Sequence, residues 1–142
     1  MAGTNGILLD AGPLVAYLAS DEQHHAWVTE QFQRFNGPIL TCETVLSEAF
    51  FLLRKSPRHL KSLRHMLQES VFDLSFHLAE EAPAVSALMH SYHDVPMSLA
   101  DACLVRLSEL HPTLPVVTLD SDFTIYRRFG RQRIPVIMPQ LM

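Results

Sequence analysis

Cysteine is nearly absent: Cys42 and Cys103 are the only two in 142 residues. Two isolated thiols exclude the closely spaced, even-numbered framework of a small disulfide-stapled secreted scaffold, and equally the paired Cys motifs of a structural zinc site. A reduced, cytoplasmic chain is the expectation. Lysine is scarcer still in proportion, with 2 Lys beside 9 Arg, and 15 acidic residues bring the formal charge to -4. That balance argues against a protein that wraps nucleic acid by neutralising phosphates, while leaving open one that meets phosphate through a metal ion. Long apolar runs are missing as well. The longest, Ala49-Phe50-Phe51-Leu52-Leu53, is far below the ~20 residues of a membrane span. The N-terminal residues carry no basic stretch, and the apolar run behind them stops at Asp10, so no cleaved signal peptide is expected. With 5 Gly, no Gly/Ser-rich tract and no internal repeat, nothing divides the chain, and residues 1–142 read as one domain.

What is present is an alternation of short β-branched runs with longer helical patterns. Strands are expected at 6–10, 38–41, 71–74, 115–118 and 134–137, the last at a sheet edge because of Pro135. Helices are expected after Gly12-Pro13 through Leu18, then over 24–35, 43–55, from Ser56-Pro57 onward, 79–92, 98–110 and 122–129. Strands separated by helices pair in parallel through right-handed crossovers, which predicts an α/β fold, a three-layer α/β/α sandwich around a five-stranded sheet.

Ligand crevices in such sheets open at the carboxyl ends of the strands. Asp10 directly follows Ile7-Leu8-Leu9, and Asp120 follows Val116-Val117-Thr118 with one residue between. Either aspartate alone is explained as a helix cap, but two placed alike call for more. Glu48 falls at the edge of the polar arc that Glu43, Thr44, Ser47, Phe51, Arg54 and Lys55 describe on their helix, where a carboxylate either reaches for water or aims into a crevice. Asp101 stands three residues after Ser98 in capping-box spacing, which also sets it in the first turn of a helix at the mouth of the sheet. Four carboxylates, unaccompanied by Cys or a clear His partner, make an oxygen-only donor set suited to hard divalent cations such as Mg²⁺ or Mn²⁺. Such cations activate water and steady charge on a phosphate, the requirements of phosphodiester hydrolysis.

The segments Leu8-Leu9-Asp10-Ala11-Gly12-Pro13, Leu46-Ser47-Glu48-Ala49, Met97-Ser98-Leu99-Ala100-Asp101-Ala102 and Val117-Thr118-Leu119-Asp120-Ser121-Asp122-Phe123 resemble, in order and separation, the four acidic motifs of PIN-domain ribonucleases. The likeness is greatest to the VapC-type toxins of toxin-antitoxin pairs, and it spans residues 7–137. The resemblance implies a PIN-like fold and an Mg²⁺- or Mn²⁺-dependent endoribonuclease acting on RNA. It also implies Asp10, Glu48, Asp101 and Asp120 as catalytic, metal-holding residues, with Asp122 a candidate fifth ligand that reads equally well as a surface aspartate. A small antitoxin protein and a homodimer are the partners it implies. The competing reading is a non-catalytic PIN-like module that binds RNA or a partner. Ser98 and Thr118 stand where the family often has a hydroxyl near the site, whereas Ala11 replaces a frequent Thr or Ser. An aspartyl-phosphate site fits poorly, since Gly12 occupies the place of a phosphatase's second Asp and the last lysine is Lys61.

Two basic clusters remain, Arg54, Lys55, Arg58, Lys61 and Arg64 in one and Arg127, Arg128, Arg131 and Arg133 in the other. Each reads as an electrostatic track for RNA or as a solvated face. Phe51 lies within the polar arc of its helix, and its expected role is packing against a neighbouring helix.

Overall fold

The computed structural model describes residues 6–140, so the N-terminal reading drawn from residues 1–5 lies outside the described residues. Strand β1 (Ile7–Leu9) leads into helix α1 (Ala11–Leu18), and α2 (His25–Arg34) leads into β2 (Ile39–Leu40). Helices α3 (Glu43–Leu52) and α4 (Pro57–Gln68) precede β3 (Phe72–Asp73), and α5 (Leu78–Ser91) and α6 (Leu99–Leu110) precede β4 (Val116–Val117). A 3₁₀ turn (Ser121–Thr124) and a short ribbon of β5 (Arg127–Arg128) and β6 (Gln132–Arg133) come before β7 (Val136–Ile137).

The main sheet has five strands in the order β3-β2-β1-β4-β7, all neighbours parallel. This is the α/β/α architecture expected from the alternation of strands and helices, with β7 at an edge as its proline requires. β1 is central: Leu8 aligns with Leu40 on one side and Val116 on the other, and every residue of the strand is buried. A strand covered on both faces reads as a continuous apolar run, which is why Ile7-Leu8-Leu9 shows no alternation. α6 is buried nearly all round, from Ala100 through Val105 and again at Leu107 and Ser108, so it packs as a core helix. Strand order reverses between β1 and β4, the position at which a parallel sheet leaves a crevice above its carboxyl ends.

The chain departs from expectation after Thr124. In place of a helix over 122–129 stand the 3₁₀ turn and the antiparallel ribbon, in which Arg127 pairs with Arg133 and Arg128 with Gln132. Phe129 at φ 53° and Gly130 at φ 80° both occupy the left-handed region, which closes a ribbon and cannot continue a right-handed helix. Arg128 fixes the ribbon from below: its guanidinium donates to the Ser108 carbonyl at 2.8 Å and the Pro112 carbonyl at 3.0 Å, at the end of α6. It is therefore buried and withdrawn from any phosphate track. Arg127 is likewise engaged, with its guanidinium on the carbonyls of Thr124, Ile125 and Tyr126, which leaves Arg131 and Arg133 as the exposed members of that cluster. The other cluster, Arg54 to Arg64 on and beside α4, is exposed throughout.

Candidate active site

Asp10, Glu48, Asp101 and Asp120 line one cavity of about 410 Å³, together with Ser98, Gly12, Leu52 and Leu119. Asp122 is not among its walls.

Three of the four carboxylates stand at the start of a helix or turn. Asp10 is the N-cap of α1, its Oδ1 accepting from the Ala11 N–H at 2.8 Å. Asp101 completes a capping box: the Ser98 hydroxyl accepts from the Asp101 N–H at 3.0 Å, and Asp101 Oδ2 accepts from the Ser98 N–H at 3.2 Å. Asp120 caps the 3₁₀ turn, its Oδ1 accepting from the Asp122 N–H at 2.9 Å. Free N–H groups and the positive end of a helix favour a carboxylate at each place, which offsets part of the repulsion among them. Capping and cavity lining are thus not alternatives, because the same residues do both.

Glu48 arrives differently. Val45, Leu46 and Ala49 bury the apolar face of α3, while Ser47 and Glu48 remain exposed, so the glutamate reaches the cavity from its rim. Phe51, one turn further, is 59% exposed with the Arg54 guanidinium 4.0 Å over its ring. The expectation that it packs against another helix fails, because its place on the polar arc faces it outward.

Thr118 ties the arrangement together. Its hydroxyl donates to Asp10 Oδ2 at 2.7 Å and accepts from the Asp120 N–H at 3.0 Å, joining the ends of β1 and β4. Both oxygens of Asp10 are thereby engaged even though Ala11 has no hydroxyl to offer. Tyr126, which the sequence reading did not single out, is fully buried and donates from its hydroxyl to Asp101 Oδ2 at 3.0 Å. Replacing Thr118 with the isosteric Val is expected to lower stability by about 1–3 kcal/mol, since Asp10 Oδ2 loses its donor in a buried setting. Urea unfolding of both proteins checks this, and unchanged midpoints would show the hydrogen bond to be without weight.

Burial and like charge both oppose ionisation here. Asp10 is raised from 3.8 to about 6, first by burial, with the Thr118 and Ala11 hydrogen bonds pulling it down and Asp101 and Glu48 pushing it up. Glu48 is raised by burial and then by Asp101 and Asp120, and Asp101 by burial chiefly, against the Ser98 and Tyr126 hydrogen bonds. Carboxylates that feel one another in this way share an electrostatic site.

Among the described residues no group of three or more His, Cys, Asp or Glu side chains is arranged to hold a metal ion. Each aspartate is held by its own cap instead of by a shared centre. In kind, the donors suit a hard cation: the walls offer carboxylate and hydroxyl oxygens and no sulfur or imidazole.

A family model described as PIN domain matches residues 7–128. Ribonuclease VapC26 of Mycobacterium tuberculosis (strain ATCC 25618 / H37Rv) is 27% identical over 135 residues, covering 92% of this chain and 99% of that protein. The crystal structure of Mycobacterium tuberculosis VapC20, a Sarcin-Ricin loop cleaving toxin, is similar with a TM-score of 0.75 over 84% of this chain and 93% of its own, at 15% sequence identity. At that identity the likeness is one of fold.

Proposed function

The chain belongs to the PIN-domain family, and from that membership we propose that it is a metal-dependent endoribonuclease of the VapC type, the toxin of a toxin-antitoxin pair. The observation that carries this reading is the convergence of Asp10, Glu48, Asp101 and Asp120 on one cavity at the switch point of the sheet. In this reading residues 1–142 act as a single PIN domain, in the cytoplasm, on RNA, restrained by a small antitoxin and paired as a homodimer. The name of the relative Ribonuclease VapC26 supports RNA as substrate and hydrolysis as the reaction.

Asp10, Asp101 and Asp120 are the residues that would hold Mg²⁺ or Mn²⁺, with Glu48 at the rim. When bound, such a cation supplies a polarised water and positive charge against the phosphate. Thr118 fixes Asp10, and the capping box fixes Asp101, so the two carboxylates are oriented before substrate arrives. Among the described residues neither Glu48 oxygen is engaged by a hydrogen bond, and its raised pKa suits it to accept at Oε the proton released by the attacking water. Water would add to phosphorus as the P–O bond to the leaving ribose oxygen breaks, and that oxygen would take up a proton from solvent. Asp122 serves through its backbone N–H on Asp120.

Thermal unfolding with and without Mg²⁺ or Mn²⁺ tests the metal-holding role apart from any substrate. A hundredfold excess over Kd is expected to stabilise the wild-type protein by roughly 2.7 kcal/mol. The Asp120→Asn variant should gain much less. Equal responses of the two proteins would remove Asp120 from the ligand set.

A further inference from the structure

Phe51 lies outside the carboxylate cavity but lines a neighbouring groove of about 420 Å³ between α3 and the start of α6. Thr44, Ser47, Glu48, Ser98 and Leu99 line it as well. Glu48 and Ser98 are walls of both hollows, so groove and cavity adjoin at those two residues. Phe51 follows Glu48 by three residues, which makes the two side chains neighbours on the surface of α3.

The ring is held ready by Arg54. Its guanidinium carbon sits 4.0 Å over the ring centroid, and Nη1 donates to the Phe51 carbonyl at 2.9 Å. The cation takes one face of the ring, yet Phe51 is still 59% exposed. Ring and guanidinium together offer flat surfaces of the kind on which unpaired bases stack. The charge beside them has the matching sign: residues 49–68 carry Arg54, Lys55, Arg58, Lys61 and Arg64 and no acidic residue, in a chain of formal charge -4. All five are exposed. An aromatic platform flanked by cations is how proteins hold single strands, the cations tracking phosphates and the ring taking a base. The core of a protein interface is depleted in charge, whereas this ring has a guanidinium over it and the hydroxyl residues Thr44, Ser47 and Ser98 in its groove.

We propose that Phe51, with Arg54 on its ring, is a positioning platform on which an unpaired RNA base stacks while a nearby phosphate of the same strand enters the carboxylate cavity. This rests on the nuclease reading of that cavity and adds to it a substrate class. A base inside a duplex already has both faces covered, so the platform selects single-stranded loops or ends.

Binding is measured apart from cutting, with the full-length Asp10→Asn protein in Mg²⁺ and a fluorescein-labelled single-stranded RNA of mixed sequence, followed by anisotropy. Adding Phe51→Ala is expected to weaken binding on the order of tenfold, and Phe51→Tyr to keep it. The same RNA annealed to its complement should bind more weakly and respond little to Phe51→Ala. In Phe51→Trp, tryptophan emission should fall as the single strand binds, a drop absent from the parent, whose one tryptophan is Trp27. Because the side chain is exposed, thermal midpoints should stay together. Equal affinity of Phe51→Ala and its parent for the single strand would overturn the platform and leave the nuclease reading standing. RNA bound by neither protein would overturn both. Unchanged RNA affinity with loss of a dimer in sedimentation would give the surface to a second copy of the chain instead.

Discussion

In chelator, the wild-type protein is expected to lose about 3 kcal/mol of stability relative to Asp10→Asn as pH rises from about 3 to about 7. The Asp10 carboxyl lies at about 6 in the folded protein against 3.8 for the ordinary group, mainly through burial. The folded state therefore keeps the Asp10 proton over a range in which the unfolded chain has released it. Stability from this source is complete below the lower value and is lost as pH climbs through the upper one. About two pKa units at roughly 1.36 kcal/mol each set the size. Asp101 and Glu48, raised in the same sense, add to the slope and are present in both proteins. Asp73, held low by Ser75, works in the opposite direction. The difference between wild type and variant thus reports Asp10 together with its coupling to Asp101 and Glu48, and urea midpoints across this pH range measure it. A difference that is flat with pH would show Asp10 to titrate normally.

Loss of cleavage in single carboxylate variants is the second large effect. Asp10→Asn, Asp101→Asn and Asp120→Asn each keep the size and one acceptor oxygen of the original side chain but remove a charge from the cavity. RNA cleavage is expected to fall on the order of 10³-fold in each, the scale associated with removing a group that steadies charge developing in the transition state. Glu48→Gln should fall comparably, since the role proposed for it is to take a proton and an amide cannot. Asp122→Asn should stay within about tenfold of wild type, because what Asp122 gives the site is its backbone N–H, which the substitution leaves in place. A loss at Asp122 as deep as at Asp10 would mean that its side chain, and not only its backbone, acts on the reaction.

Local chemistry singled out in the sequence the carboxylates that the structure gathers around one cavity. Asp10 and Asp120 announce themselves because parallel strands end where ligands bind, and each follows an apolar run. Ser98 and Asp101 announce a helix start by their spacing, and the structure has that capping box. Projection of one amphipathic helix put Glu48 at the edge of a polar arc without deciding between water and a crevice, and the structure has it at the cavity rim. The long-range pairings were not legible. By pattern Thr118 reads as a strand residue, and the family resemblance marks it only as a hydroxyl near the site; its contact with Asp10, 108 residues away, belongs to the fold. Tyr126 falls in a segment whose pattern suggests a helix, and its hydroxyl finds Asp101 only because Phe129 and Gly130 turn the chain back. Arg128 looks like one more surface charge beside Arg127, although the end of α6 offers it two carbonyls in the interior. A one-dimensional pattern carries no term for such pairings, since neither partner is unusual by itself.

The most direct measurement is cleavage of a mixed panel of RNA substrates by the purified wild-type protein and its Asp10→Asn variant, with Mg²⁺ or Mn²⁺ and again with chelator. The account predicts cutting by the wild type that chelator abolishes and the variant lacks, while both proteins remain folded. Cutting that persists in chelator, or in Asp10→Asn at the wild-type rate, would contradict it. Failure of the folded wild type to cut any RNA in the presence of metal would contradict it equally, and would favour a PIN domain that binds without cleaving.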